Sequence, residues 1–220
     1  MSGPRVKPQY GPTLPALLAP RWRSAPVGLR GLAVAAVAAV VVAVVAAVVV
    51  VGARTSSFVY RGSPVSFNFT YPRGLRQVKP TSGADLRLEG RTPSGRLREW
   101  FEVDPLALTP YSGEISGQLP VFAANYIAEL VRRIPGFRLQ SETKTRINLT
   151  AGYSVTYSGQ VEGQLMYGRL VMLVPTLTGA RNGVVLNMGI VPNATIDPSP
   201  DQVGSIDVLE KPLRSFRFGT

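Results

Sequence analysis

The chain has 220 residues with no histidine and no cysteine, which is room for one ordinary domain plus appendages. The missing residue types exclude thiolate nucleophiles, disulfides and Cys/His metal sites. Basic side chains outnumber acidic ones 24 to 13, but they form no run with interleaved aromatics of the sort that binds nucleic acid, so a nucleic-acid partner is not expected.

Residues 1–30 hold Arg5, Lys7, Arg21, Arg23 and Arg30, no acidic residue, and six prolines from Pro4 to Pro26. This reads as a basic, disordered tail. Residues 31–53 form the next segment. From Leu32 to Val51 there are 11 Val, 8 Ala and one Leu. Twenty helical residues span about 30 Å, the thickness of the bilayer hydrocarbon. Insertion is favourable by roughly 4 kcal/mol, counting about 0.3 per Val or Leu. Val51-Gly52-Ala53 also offers the small residues that a signal peptidase reads. The apolar run exceeds the usual h-region of about 7–15 residues, which favours a single-pass transmembrane anchor.

Arg21, Arg23 and Arg30 on one side balance Arg54, Arg61 and Arg73 on the other, and the acid-free tail tips the balance. The expectation is a cytoplasmic N-terminus and an extracytoplasmic C-terminal domain at the cytoplasmic membrane. Arg21, Trp22, Arg23 and Arg30 are candidate interface anchors, with the indole at headgroup level and the guanidinium groups on lipid phosphates. Gly31, Ala35, Ala39, Ala43 and Ala47 make a small-residue stripe. Such a stripe lets two helices pack as a homodimer, although eight alanines in twenty positions also produce one by chance.

Residues 54–64 read as a linker and 65–220 as a soluble α/β domain. Val65, Phe67, Phe69 and Tyr71 alternate with polar residues, a half-buried strand stopped by Pro72 and Gly74. Leu86 to Arg91 and Leu97 to Val103 form a hairpin across Thr92-Pro93-Ser94-Gly95. A helix is expected from Pro120 to Ile134, with Ala123, Ile127, Leu130, Val131 and Ile134 inward and Glu129, Arg132 and Arg133 outward. Phe137 to Leu149 is polar enough for an edge strand. Tyr153, Val155 and Tyr157, then Leu165 to Val174, then Val184 to Val191 continue the sheet. Gly159 and Gly163 fall in the loop after Tyr157, and Asn182-Gly183 signals a tight turn. A last helix starts near Ser199 to Asp201 and is interrupted by Pro212. Tight turns with one inserted and one terminal helix imply an antiparallel sheet sandwiched by helices.

The opening strand and turn, Phe67-Asn68-Phe69-Thr70-Tyr71-Pro72-Arg73-Gly74-Leu75, and the ending Leu213-Arg214-Ser215-Phe216-Arg217-Phe218 resemble the PsbP-like family. Leu75 stands where that family usually has an aromatic residue. The resemblance, over about residues 64–218, implies an α/β/α sandwich also found in bacterial lipoproteins and a Ran-binding import factor. It implies a non-enzymatic binding or assembly role and transfers no catalytic residue or cofactor.

Chemistry in the domain is limited. There is no Gly-x-Ser-x-Gly and no phosphate-binding glycine loop. Glu99, Glu102 and Asp104 form the densest acidic cluster. Glu102 and Asp104 share a strand face, where they either act as a cation or acid–base pair or are solvated charges answering Arg96 and Arg98. The second reading is the expected one, with no metal and no catalytic residue. Asn68, Asn148 and Asn193 sit in Asn-x-Thr sequons, which a bacterial composition makes irrelevant to glycosylation. Tyr153 and Tyr157 are candidates for a partner surface. The expected function is a membrane-tethered binding or scaffold module with the bilayer and an envelope protein as partners. The alternative is an anchored or secreted enzyme using carboxylates on an envelope substrate.

Overall fold

The computed structural model describes residues 26–80, 83–111, 113–176, 180–192 and 199–219. The chain divides into two compact units, Met1–Ala53 and Arg54–Thr220. In the first, helix α1 runs from Val27 to Ala53. Considering only side chains that are described, no helix is long and apolar enough to cross a membrane. Much of α1 is described by its backbone alone, so the membrane reading rests on its sequence. Arg21, Trp22 and Arg23 lie outside the described residues, and Arg30 is placed only by its backbone within α1.

The second unit contains ten strands among the described residues, and every pairing is antiparallel. Their ranges are β1 Thr55–Tyr60, β2 Phe67–Pro72, β3 Arg76–Val78, β4 Leu86–Arg91, β5 Leu97–Ala107, β6 Arg138–Ile147, β7 Thr150–Val161, β8 Gln164–Leu173, β9 Asn182–Ile190 and β10 Arg217–Phe218. One sheet has the order β1-β2-β10 and the other β3-β4-β5-β9-β8-β7-β6. Helix α2 spans Ile115–Arg133 and helix α3 spans Glu210–Ser215, preceded by a 3-10 turn at Pro200–Gln202.

Each face of the seven-stranded sheet carries its own core. On one face α2 packs against β7, and Leu119, Ala123 and Leu130 meet Val155, Leu170, Met172 and Val185. A Cβ on Gly168 would lie 2.2 Å from the ring of Tyr157, so glycine there lets the tyrosine lie flat across β8. On the other face β2, α3 and the 3-10 turn cover Phe101, Val103, Val171 and Leu186. Phe67, Phe69 and Phe216 form the seam, with ring centroids 5.4 Å apart for Phe67–Phe216 and 5.2 Å for Phe69–Phe101. Leu75 is buried in this core.

The alternation of β2, the β4–β5 hairpin and the exposed edge strand β6 match the sequence pattern. Several expectations are corrected. Residues 54–64 are not all linker, because Thr55–Tyr60 pairs along the full length of β2 as β1 and packs the half-buried Phe58 and Tyr60 against the core. The helix starts at Ile115 rather than Pro120, since the extra turn buries Leu119 and seats Ile115. Val131 is 56% exposed. It follows Leu130 by one position, about 100° around the helix, and so turns outward.

Gly159 belongs to β7 rather than to a loop, and the turn is Glu162-Gly163, both at positive φ. Asn182-Gly183 begins β9 instead of forming a tight turn. A Cβ at Gly183 would approach the Leu173 carbonyl to 2.4 Å. Pro212 does not interrupt a helix, because it sits in the first turn of α3, where its missing N–H costs nothing. The chain breaks earlier, between the 3-10 turn and α3. The Asn68 and Asn148 amides donate to the carbonyls of Gly219 at 2.7 Å and Phe216 at 2.6 Å. Both sequon asparagines thus fasten the C-terminal segment, while Asn193 lies outside the described residues.

Leu130→Ala should lower stability by about 2–5 kcal/mol, as deletion of a buried leucine does. Val131→Ala should change it by less than about 0.5 kcal/mol. Thermal unfolding of the two variants checks which of these neighbours faces the sheet.

Candidate functional site

Alternation along β4 puts Arg87, Glu89 and Arg91 on one face, and pairing sets Arg87 opposite Glu102 and Glu89 opposite Trp100 on β5. The charges therefore interlock across two strands. Glu89 accepts from Arg87 Nε at 2.8 Å through one oxygen and from Arg91 Nε at 2.8 Å through the other. Arg87 also pairs with Glu102. Burial pushes the Glu89 carboxyl up, but hydrogen bonds from Arg87 and Arg91 outweigh it and hold it below the usual range.

Further along the same face of β5, Asp104 accepts from the Tyr126 hydroxyl of α2 at 2.6 Å. Burial raises the Asp104 carboxyl, the Tyr126 hydrogen bond opposes the rise, and the neighbouring Glu102 charge adds to it. The group ends at about 6. Glu99 turns to the opposite face and is held by Arg98, with Arg98 Nη2 2.6 Å from Glu99 Oε1. Gly90 makes room for it, since a Cβ there would lie 2.0 Å from Glu99 Oε1.

The acidic cluster is therefore not a solvated strand face. Glu99 and Glu102 are 2% and 3% exposed. An interior strand covered on both sides cannot leave its carboxylates in water, and a buried carboxylate needs a partner. Arg98 does answer Glu99, but Glu102 is answered by Arg87 of β4, and Arg96 is exposed. Among the described residues no three acidic side chains converge as a metal set.

Beside the network is a solvent-open cleft of about 690 Å³. Arg73, Arg76, Arg91 and Arg98 line it, with Glu89 the one carboxylate among the lining residues. Arg73 comes from the turn after β2, where its N–H donates to the Arg54 carbonyl at 3.0 Å. Arg76 is on the edge strand β3. Arg91 ends β4, held by Glu89 and by the Gly95 carbonyl at 2.8 Å. Arg98 occupies a bulge, since Gly90 pairs with Glu99 and Arg91 with Leu97; a bulge re-aims its side chain. Neither Arg73 nor Arg76 makes an ion pair among the described residues.

The tyrosines named from sequence separate. Tyr157 is fully buried and donates to Asn187 Oδ1 at 2.8 Å, so it offers no surface. Tyr153 is half-buried and donates to Glu142 at 3.2 Å on the edge strand. Sequence reasoning missed the cleft because its arginines come from four separate segments. The one local signal is the Arg87-x-Glu89-x-Arg91 alternation.

Asp104 has a testable consequence. Its ordinary value is 3.8 and its folded value about 6. Between the two, the folded state holds a proton that the unfolded state has lost, so this contribution to stability falls as pH rises through that window. Above it the buried charge costs about 3 kcal/mol. Asp104→Asn keeps an acceptor for Tyr126 and should raise the melting temperature at pH 7. The gap to wild type should shrink as pH falls from 6 towards 4 in melts across that range.

No family model matches the chain, and no curated protein matches it by sequence. Solved structures do match it. LpqN of Mycobacterium tuberculosis, involved in cell envelope biogenesis, matches with TM-score 0.51 and 12% identity over 76% of this chain and 92% of LpqN. Cyanobacterial PsbP from Synechocystis sp. PCC 6803 matches with TM-score 0.48 and 13% identity over 74% and 93%. The Saccharomyces cerevisiae Ran-binding protein Mog1p matches with TM-score 0.48 and 11% identity over 74% and 94%. At such identity the likeness to LpqN is one of fold alone, and it extends over most of the antiparallel sandwich of Arg54–Thr220.

Proposed function

We propose that this chain is a membrane-tethered, non-enzymatic binding module of the cell envelope, anchored by α1 and displayed on the outer face of the cytoplasmic membrane. The observation that carries the binding role is the placement of charge. The carboxylates that an acid–base mechanism would need are committed to Arg87, Arg98 and Tyr126. The solvent-open cleft beside them is lined by arginines. Guanidinium groups stay protonated at neutral pH, so they hold anions rather than shuttle protons.

The tether is supported by the uncharged Leu32–Val51 run within a helix of 27 residues, about 40 Å long against a hydrocarbon core of about 30 Å. The acid-free tail supports the orientation. The envelope setting is supported by the fold shared with LpqN. A protein partner in the envelope, and a homodimer through the small-residue stripe of α1, are compatible with this reading.

The carboxylate-dependent enzyme has one observation in its favour, an Asp104 carboxyl raised to about 6 next to Glu102. Raised carboxyls of this kind serve as general acids. Here the group is tied to Tyr126 beneath α2.

Carbonate washing should leave the full-length chain with the membrane pellet, and a reporter active only outside the cytoplasm should work when fused after Thr220. A soluble product beginning at Arg54 would refute the anchor, and a working cytoplasmic reporter would reverse the orientation. Asp104→Asn should keep the wild-type cellular phenotype; a deletion-like phenotype with the fold intact would promote the enzyme.

A further inference from the structure

We infer that the arginine cleft beside β3 binds a phosphate-bearing anion of the kind presented by an anionic lipid headgroup. This assignment rests on the membrane-tethered reading for the source of the ligand, but not for its chemistry.

The charge balance of the lining comes first. Four guanidinium groups face one carboxylate, and Arg73 and Arg76 have no ion-pair partner among the described residues. Arg98 is fixed by Glu99, and Arg91 by Glu89 with Glu162 3.3 Å away on its other side, yet their side chains remain 41% and 43% exposed. A guanidinium carries five N–H donors, and one carboxylate uses two of them. Arg98 therefore keeps donors for a second anion on a side chain whose rotamer is already held, whereas Arg91 gives most of its donors to Glu89, the Gly95 carbonyl and Glu162 and acts mainly as a fixed positive wall. That preorganisation lowers the entropic cost of binding.

The wall between Arg91 and Arg98 is also rigid. Gly95 N–H donates to the Thr92 carbonyl at 2.9 Å, and Thr92 and Ser94 hydroxyls meet at 2.8 Å. Fork-shaped donors in a fixed arrangement match the oxygens of a phosphate ester. The lining contains no aromatic ring on which a nucleic-acid base would stack. The cleft also falls within the size range of small-ligand sites, about 300–1,000 Å³.

Chain connectivity points to the source. Arg54 follows directly after Ala53, the last residue of α1. Thr55 pairs with Pro72, and the Arg54 carbonyl accepts the Arg73 N–H. If α1 crosses the bilayer, Arg54 sits where the chain leaves it, and the hydrogen bond keeps Arg73 beside Arg54. Lipid phosphates are the anions concentrated at that level.

The test uses the full-length chain in a non-ionic detergent and three probes, namely dihexanoyl phosphatidylglycerol, glycerol 3-phosphate and inorganic phosphate, measured by calorimetry. Saturable binding is expected, weakened at least about tenfold (1.4 kcal/mol) in Arg73→Gln/Arg76→Gln. The control Arg138→Gln/Arg146→Gln removes the same charge from exposed positions of β6 and should bind as wild type. Tighter binding of the lipid than of the two soluble probes assigns the headgroup, whereas equal binding assigns a soluble phosphate to the same site. No binding of any probe, equal weakening in the control, or saturation by a glutamate-rich peptide alone would overturn the inference. Retention after carbonate washing is scored separately, so a failed tether with intact phosphate binding is distinguishable from a failed site in an anchored protein.

Discussion

A seven-stranded sheet has two apolar faces, and among the described residues of this domain one long helix is present to cover them. That shortage shapes the domain. Helix α2 lies mainly on β7 and reaches β5 through Tyr126. The opposite face is closed by elements from both ends of the domain, β2 early in it and α3 with the 3-10 turn late in it. Because β10 pairs with β2 and Phe216 stacks on Phe67, the second layer forms only when the two ends meet. The aromatic seam contributes dispersion and burial that no local segment could provide alone.

The same shortage explains the polar side chains within the sheet. Where α2 does not press apolar surface on β4 and β5, their α2-side positions carry Arg87, Glu89, Arg91, Glu102 and Asp104 in place of leucine and valine. Buried ion pairs of this kind seldom stabilise more than an apolar filling would, but breaking one leaves a costly unpaired charge. They constrain geometry more than they add stability. Register between β4 and β5 is set in part by which arginine can reach which glutamate.

What was legible in the sequence was whatever depended on near neighbours. The period-two pattern of Phe67, Phe69 and Tyr71, the Pro93/Gly95 turn and the polar edge strand β6 are local signals, and each matches its element. Failures came where a distant strand decided the outcome. Thr55–Tyr60 is apolar only in its second half and becomes a strand because β2 offers it a complete edge. Asn182-Gly183 has turn chemistry but lies against the Leu173 carbonyl. Val131 fits an apolar stripe by composition, and only the helix phase set by Leu119, Ala123 and Leu130 turns it outward. The cleft was the least legible feature. Arg73, Arg76, Arg91 and Arg98 belong to a turn, an edge strand, a strand end and a bulge, and only sheet pairing brings them together.

The buried network and the open cleft share Glu89. One oxygen of its carboxylate receives Arg87 and the other receives Arg91, and Arg87 continues to Glu102. Arg91, a wall of the cleft, is thus oriented by a carboxylate whose own position depends on a pair deeper in the sheet. Arg98 is fixed similarly by Glu99, which fits only because position 90 has no side chain. A cleft built solely from exposed arginines would keep its side chains disordered by their rotamer entropy, and an arriving anion would have to order all of them. With two of the four already held from below, the carboxylates that looked catalytic in the sequence take on a different task. They set the direction of the cations that face the solvent.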